Sequence, residues 1–287
     1  MKKKMFAVIL ASVLSASLLA GCGGSASGSQ GAKEETAEAP VEDNVITIAA
    51  TPVPHAEILE KVKPVLEAEG IELKIVVYND YVQPNEVVYS GEMDANYFQH
   101  IPYLESYNEE HGYDLVNAGG IHYEPLGIYP GTKSGLGGLA DGDVIAIPND
   151  TTNEARALLL LQDNGIITLK EGAGLTATVN DIESMAYDLK IEEMEAAQIP
   201  HVISEVSYVV LNGNYAIEAG YNLEDDAIAY EMSDSEAAET YVNVIAVKAG
   251  HENDENIKIL VEALRSPSIV KFINETYNGA VVPFIVK

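Results

Sequence analysis

The sequence has no tryptophan, four phenylalanines and one cysteine, and its 16 lysines and arginines face 45 aspartates and glutamates. Each scarcity removes a class of function. A net charge of −29 repels phosphate backbones and anionic lipid surfaces, so nucleic-acid binding is excluded. One cysteine forms neither an internal disulfide nor a cysteine-rich zinc or iron–sulfur framework. The six histidines include no i, i+4 pair and no tract, so no metal site is expected. There is no G-x-S-x-G elbow and no P-loop, and Gly135, Gly137 and Gly138 read as a turn. Neither an enzyme nor a cofactor is expected. What remains is 287 residues at 47% hydrophobic content, enough for two cores.

The lone cysteine has a use of its own. Lys2, Lys3 and Lys4 precede an apolar run from Met5 to Leu19 that is too short to span a bilayer, which reads as an export signal. The run exits through Leu19-Ala20-Gly21-Cys22, which resembles the bacterial lipoprotein box: residues 1–21 would be removed and Cys22 would carry acyl chains such as palmitate. The mature chain then has a net charge near −32, so attachment to the membrane falls to the lipid, at about 0.8 kcal/mol per buried CH₂. Residues 22–43 are rich in Gly, Ser, Ala and Glu, with one large apolar residue, and read as a disordered tether with a reach of about 25 Å. The expected location is the extracytoplasmic face of the cell membrane.

The body reads as alternating strands and helices. Val45 to Ala50 is a strand; His55 to Glu69 carries an apolar stripe of Ile58, Leu59, Val62, Val65 and Leu66, with Pro64 expected to kink it; Ile71 to Val77 alternates as a second strand, implying a parallel pair. A second unit follows, with a strand at Val144 to Ile147 and a helix at Glu154 to Gln162. Further strands are expected at Tyr208 to Leu211 and Tyr241 to Val247, and further helices at Asn253 to Leu264 and Ile269 to Tyr277. This is an α/β pattern in two lobes, placed at 44–122 with 246–287, and at 123–245.

Three groups of residues could carry chemistry. The chain has two arginines, and Arg156 lies near a helix start, where the macrodipole disfavours a cation unless an anion is brought to it. That anion is either a ligand carboxylate, gripped by the guanidinium fork, or a neighbouring acid such as Glu154 or Asp150 in a structural ion pair. Tyr78, Tyr81, Tyr89, Tyr97 and Tyr103, with Phe98 and His100, form the most aromatic stretch, fit to wall an apolar ligand or to fill a core. Asn153, Asn212, Asn214 and Asn243 sit at strand ends or helix starts, where amides cap and turn, but also where α/β sheets bind ligands.

Longer strings narrow the choice. Ala50-Thr51-Pro52-Val53-Pro54-His55-Ala56-Glu57-Ile58-Leu59, Asp80-Tyr81-Val82-Gln83-Pro84-Asn85 and Asp94-Ala95-Asn96-Tyr97-Phe98-Gln99-His100-Ile101-Pro102-Tyr103-Leu104 resemble the NlpA lipoprotein family, the methionine-binding proteins of methionine ABC importers. Ile147-Pro148-Asn149-Asp150-Thr151-Thr152-Asn153, Arg156 with its leucine run, Leu211-Asn212-Gly213-Asn214-Tyr215-Ala216 and Tyr241-Val242-Asn243 continue the resemblance in order. It implies a two-lobed periplasmic-binding-protein-like fold with the ligand in the cleft between lobes. It also implies that Arg156 takes the ligand carboxylate, that Asn153, Asn212 and Asn243 hold its polar end, and that Tyr81, Phe98, His100 and Tyr103 wall its side chain. The implied partners are L-methionine and the permease and ATPase subunits of an importer. Glu154 and the stretch from Ser204 to Ser207 depart from the family pattern, and Glu154 could pair with Arg156. A methionine-containing short peptide, another apolar amino acid, or a metal carried on His55, His100 and an acid are the alternative cargoes.

Overall fold

The computed structural model describes residues 44–232 and 236–285; the expected signal segment 1–21, the tether 22–43 and its anchor Cys22 lie outside the described residues. Strand β1 (Val45–Ala50) buries Ile46, Ile48, Ala49 and Ala50. A wide turn at Pro52–Ala56 leads into α1 (Glu57–Ala68), in which Ile58, Leu59, Val62 and Leu66 are fully buried. Val65, expected in that stripe, is 36% exposed, because about 100° per residue puts it at the margin of the face centred between the other four. The same rotation puts Pro64 on the opposite, exposed face, and α1 runs through it as one helix. Gly70, at φ 80°, turns the chain out of the helix into β2 (Glu72–Val77), which pairs parallel with β1 as the pattern predicts.

Next come α2 (Gln83–Tyr89), β3 (Ala95–His100), α3 (Ile101–His111) and β4 (Leu115–Tyr123). Leaving β4, the chain builds β5 (Gly127–Pro130), β6 (Val144–Pro148), α4 (Thr151–Asp163), β7 (Ile167–Leu169), β8 (Ile182–Met185), β9 (Lys190–Met194), β10 (Tyr208–Leu211), α5 (Gly213–Glu218), α6 (Leu223–Asp226) and β11 (Ala229–Tyr230). It returns through α7 (Glu236–Thr240) and β12 (Val242–Lys248), and finishes with α8 (Glu255–Leu264), α9 (Pro267–Tyr277) and β13 (Val282–Pro283).

Two sheets divide these strands. The first has the order β13-β4-β12-β3-β1-β2, the second β11-β5-β10-β6-β9, and β7 and β8 form a small hairpin sheet. All of β12 lies in the first sheet, so the second sheet ends at Tyr230 and the first resumes at Val242, ahead of the expected change at 246. The first core packs α1, α8 and α9 through Leu59, Val62, Leu260 and Ile273 against the sheet residues Ile48, Tyr97 and Ile245. The second packs the leucine run of α4 against Ile128, Ile145, Ile147 and Val210. In β3, β6 and β10 the carboxyl ends lead directly into His100, Asp150 and Asn212, so one region between the sheets collects the residues that follow three strands.

Candidate ligand-binding site

That region is a pocket with about 330 Å³ of empty space, lined by Tyr81, Phe98, His100, Tyr103, Asn153, Arg156, Asn212 and Asn243, and also by Gln99, Glu124, Gly213 and Asn214. The eight expected site residues other than Cys22 therefore meet in one cavity. Local chemistry explains why each arrives. His100 caps α3, its Nδ1 accepting the Tyr103 N–H at 3.1 Å, which holds the imidazole across the Tyr103 ring. Asp150 caps α4, accepting the Asn153 N–H at 3.0 Å, so that helix starts at Thr151, three residues before the expected Glu154.

The aromatic wall is a set of inclined rings. Tyr81 lies 5.8 Å from Phe98 and from Tyr103 and 5.0 Å from Tyr215, within the range of favourable ring pairs. The Tyr103 hydroxyl donates to the Tyr81 carbonyl at 3.0 Å, and the Tyr81 hydroxyl donates to Asn214 Oδ1. Tyr97 belongs to the first core, and Tyr89 stacks on Tyr113 at 3.8 Å; neither lines the pocket.

The rest of the lining is polar. Asn153 Oδ1 accepts from Asn212 Nδ2 at 2.8 Å and lies 3.1 Å from His100 Nε2, while its Nδ2 donates to Asp150. Burial pushes His100 down to about 3, with the Arg156 charge acting in the same direction, so its imidazole is neutral. Two buried polar atoms have no partner, the acceptor Asn212 Oδ1 and the donor Asn214 Nδ2. Buried polar atoms are rarely left unsatisfied, so a pair of them on one pocket wall points to a ligand with both a donor and an acceptor.

Arg156 is 3% exposed, and its counter-ion is neither Glu154 nor Asp150. Nε donates to Glu231 Oε1 at 2.8 Å and Nη2 to Oε2 at 2.6 Å, a two-pronged pair, with a further bond from Nη2 to the Glu124 carbonyl at 2.8 Å. Burial works against the guanidinium charge, but the Glu231 carboxylate outweighs it and raises the Arg156 pKa. Burial likewise opposes ionisation of Glu231, yet Arg156 together with the Leu126 N–H and the Tyr123 hydroxyl holds its carboxyl below the usual range. Glu154, which could have paired with Arg156, instead accepts the Val179 N–H at 2.8 Å.

A second buried network supports Glu124. His122 Nε2 lies 2.7 Å and His55 Nε2 3.3 Å from Glu124 Oε1, and His55 Nε2 is also 3.1 Å from Asn243 Oδ1. Thr51 Oγ1 meets His55 Nδ1 at 2.7 Å, and the Tyr97 hydroxyl meets His122 Nδ1. Hydrogens on both Nε2 atoms satisfy this network, with the hydroxyls donating to Nδ1. Burial takes His55 down to about 4 and His122 to about 3, so both are neutral donors to the carboxylate. A Cβ on Gly213 would stand 2.8 Å from Glu124 Cβ and 2.9 Å from Oε2, so only glycine lets the carboxylate lie against α5. Among the described residues, His55, His122 and Glu124 are the group whose donor atoms could hold a metal; His100 sits apart with Asn153, so the expected pairing of His55 with His100 is not the arrangement found.

Glu124 and Glu231 are the site residues that sequence reasoning missed. Both flank the crossings between the sheets, Glu124 directly after β4 and Glu231 directly after β11.

The family model for the NlpA lipoprotein matches residues 46–285. The chain belongs to the NlpA lipoprotein family. A lipoprotein from Ruminococcus gnavus is 65% identical, with a TM-score of 0.84 over 84% of this chain and 100% of that one. The methionine-binding lipoprotein MetQ of Bacillus subtilis is 39% identical over 98% of both chains. A nutrient-binding protein from Burkholderia cenocepacia, solved bound to methionine, is 42% identical with a TM-score of 0.79, covering 84% of this chain and 100% of that one. The NlpA chain described here thus has the two-lobed fold of the periplasmic substrate-binding proteins, as expected.

Proposed function

We propose that this NlpA-family protein is a lipid-anchored, extracytoplasmic receptor that captures free methionine and delivers it to the permease and ATPase of an ABC importer. The observation that carries this reading is the division of one buried pocket into an aromatic wall and a polar wall with unpaired groups. On the aromatic side, Tyr81, Phe98, His100 and Tyr103 take the thioether, each good sulfur–ring contact contributing about 0.3–1.5 kcal/mol. On the polar side, Arg156 faces the carboxylate. Asn212 Oδ1, an acceptor without a donor, and the Glu124 carboxylate receive the ammonium, with Asn153 and Asn243 holding those groups in place. The methionine-bound Burkholderia protein, 42% identical, and the methionine-binding lipoprotein MetQ of Bacillus, 39% identical, support the same cargo.

Native mass spectrometry of the purified protein should show an adduct with the mass of methionine that disappears on denaturation. A protein that carries no such adduct and gives no heat with added methionine would overturn the reading. The anchor has its own test. Cys22→Ser should move the protein from the membrane to the soluble fraction and leave methionine affinity unchanged, because the tether 22–43 precedes every residue of the pocket. Retention of the variant in membranes would remove Cys22 from that role.

A further inference from the structure

A free amino acid is a zwitterion, but the pocket does not treat the two charges alike. On its wall Arg156 is the one cation and Glu124 the one carboxylate among the described residues. Two further acids stand directly behind it, Glu231 against Arg156 and Asp150 against Asn153. With the histidines neutral, one positive group therefore faces three carboxyl groups.

Geometry sharpens the imbalance. The Nε and Nη2 of Arg156 are committed to Glu231 and to the Glu124 carbonyl, and its Cζ lies 4.1 Å over the Tyr241 ring. An arriving carboxylate meets a guanidinium whose charge is largely neutralised, and only Nη1 lies outside those bonds. An arriving ammonium meets the reverse. Asn212 Oδ1 is buried and unpartnered, and Glu124 accepts from His55, His122 and the Asn214 backbone N–H but has no cation bonded to its carboxylate among the described residues. The carboxylate side has, beyond Arg156, the uncharged unpartnered donor Asn214 Nδ2. Desolvated acceptors without a bonded cation gain more from a charged donor than an already ion-paired cation gains from a second anion.

Resting on the methionine reading above, we infer that the ammonium is the group that decides recognition, that Glu231 sets this preference by occupying Arg156, and that the pocket accepts amines bearing methionine's side chain with or without a carboxylate, while N-acylated methionines are excluded. Glu231 is here a positioning residue, because it acts through Arg156.

Calorimetric titration of the ligand-stripped full chain with three probes tests this: L-methionine, L-methioninol, which keeps the ammonium and lacks the carboxylate, and N-acetyl-L-methionine, which keeps the carboxylate and lacks the ammonium. Methioninol should bind within about tenfold of methionine, and N-acetylmethionine about 100-fold or more below it. N-acetylmethionine binding as tightly as methioninol, or more tightly, would overturn the inference and leave the methionine reading standing. No binding of methionine itself would defeat that reading and this inference with it. In Glu231→Gln, freed of the competing anion, N-acetylmethionine should gain about tenfold on methioninol. An unchanged ratio in the folded variant removes Glu231 from the role, and the wild-type series decides the rest even if that variant fails to fold.

Discussion

Arg156→Ala should lower the unfolding free energy by about 3–5 kcal/mol, because it strands the Glu231 carboxylate in a site where that side chain is 10% exposed. Two bonds to Glu231 disappear, as does the guanidinium contact with the Tyr241 ring. Methionine affinity per folded molecule should fall more modestly, by about tenfold, since the guanidinium is already spent on an internal acid. Arg156→Lys keeps the charge but not the planar fork, and should recover only part of the lost stability. Removing both charges in Arg156→Met with Glu231→Gln should restore most of it, because a buried pair replaced by uncharged groups of similar volume is often neutral. Urea denaturation of the four proteins beside calorimetric titration separates the two effects. A single Arg156→Ala variant as stable as the parent would mean that the pair with Glu231 contributes nothing to the fold.

Acid should begin to destabilise this protein well above the pH at which ordinary surface carboxylates titrate. His55, His100 and His122 are all buried and neutral in the folded state, with pKa values lowered to about 4, 3 and 3. In the unfolded chain they return to about 6.5, so as pH falls below that value the unfolded state binds protons that the folded state refuses. Each histidine then costs about 1.4 kcal/mol of stability per pH unit, about 4 kcal/mol per unit for the three together. The loss continues to about pH 4, where His55 protonates in the folded state, and further for the other two. Glu124 and Asp150 act in the opposite direction. Burial raises both, so the folded state gains their protons first and recovers some stability at the acid end of the range. Against a total stability of about 5–10 kcal/mol, a loss of about 4 kcal/mol per unit below pH 6.5 still places unfolding between about pH 5 and 4. Urea midpoints measured from pH 7.5 downward should fall steeply, and His100→Gln should reduce the slope by about one third. A stability that stays flat to pH 4.5 would sink the assignment of three neutral buried imidazoles.

The local order of this protein was legible because helix and strand periodicities repeat over a few residues. Ile58, Leu59, Val62 and Leu66 disclose the buried face of α1 with no knowledge of its partner, and the alternation from Ile71 to Val77 discloses β2. The same holds for the strings that show the family, and so for the pocket residues Tyr81, Phe98, His100, Tyr103, Asn153, Arg156, Asn212 and Asn243, which lie within or beside them.

Pairing across the fold was another matter. Arg156 could choose among many acids, and those nearest in sequence were Glu154 and Asp150; the fold instead delivers Glu231 from 75 residues away at the edge of the second sheet. Asn212 meets Asn153 across 59 residues, and His55 meets Asn243 across 188. In a chain with 45 acids, composition cannot say which carboxylate is buried against which cation or imidazole. That choice follows from where strand ends converge and from which polar groups lose their water there, so only the tertiary structure turned Glu124 and Glu231 from two acids among many into the partners of His122 and Arg156.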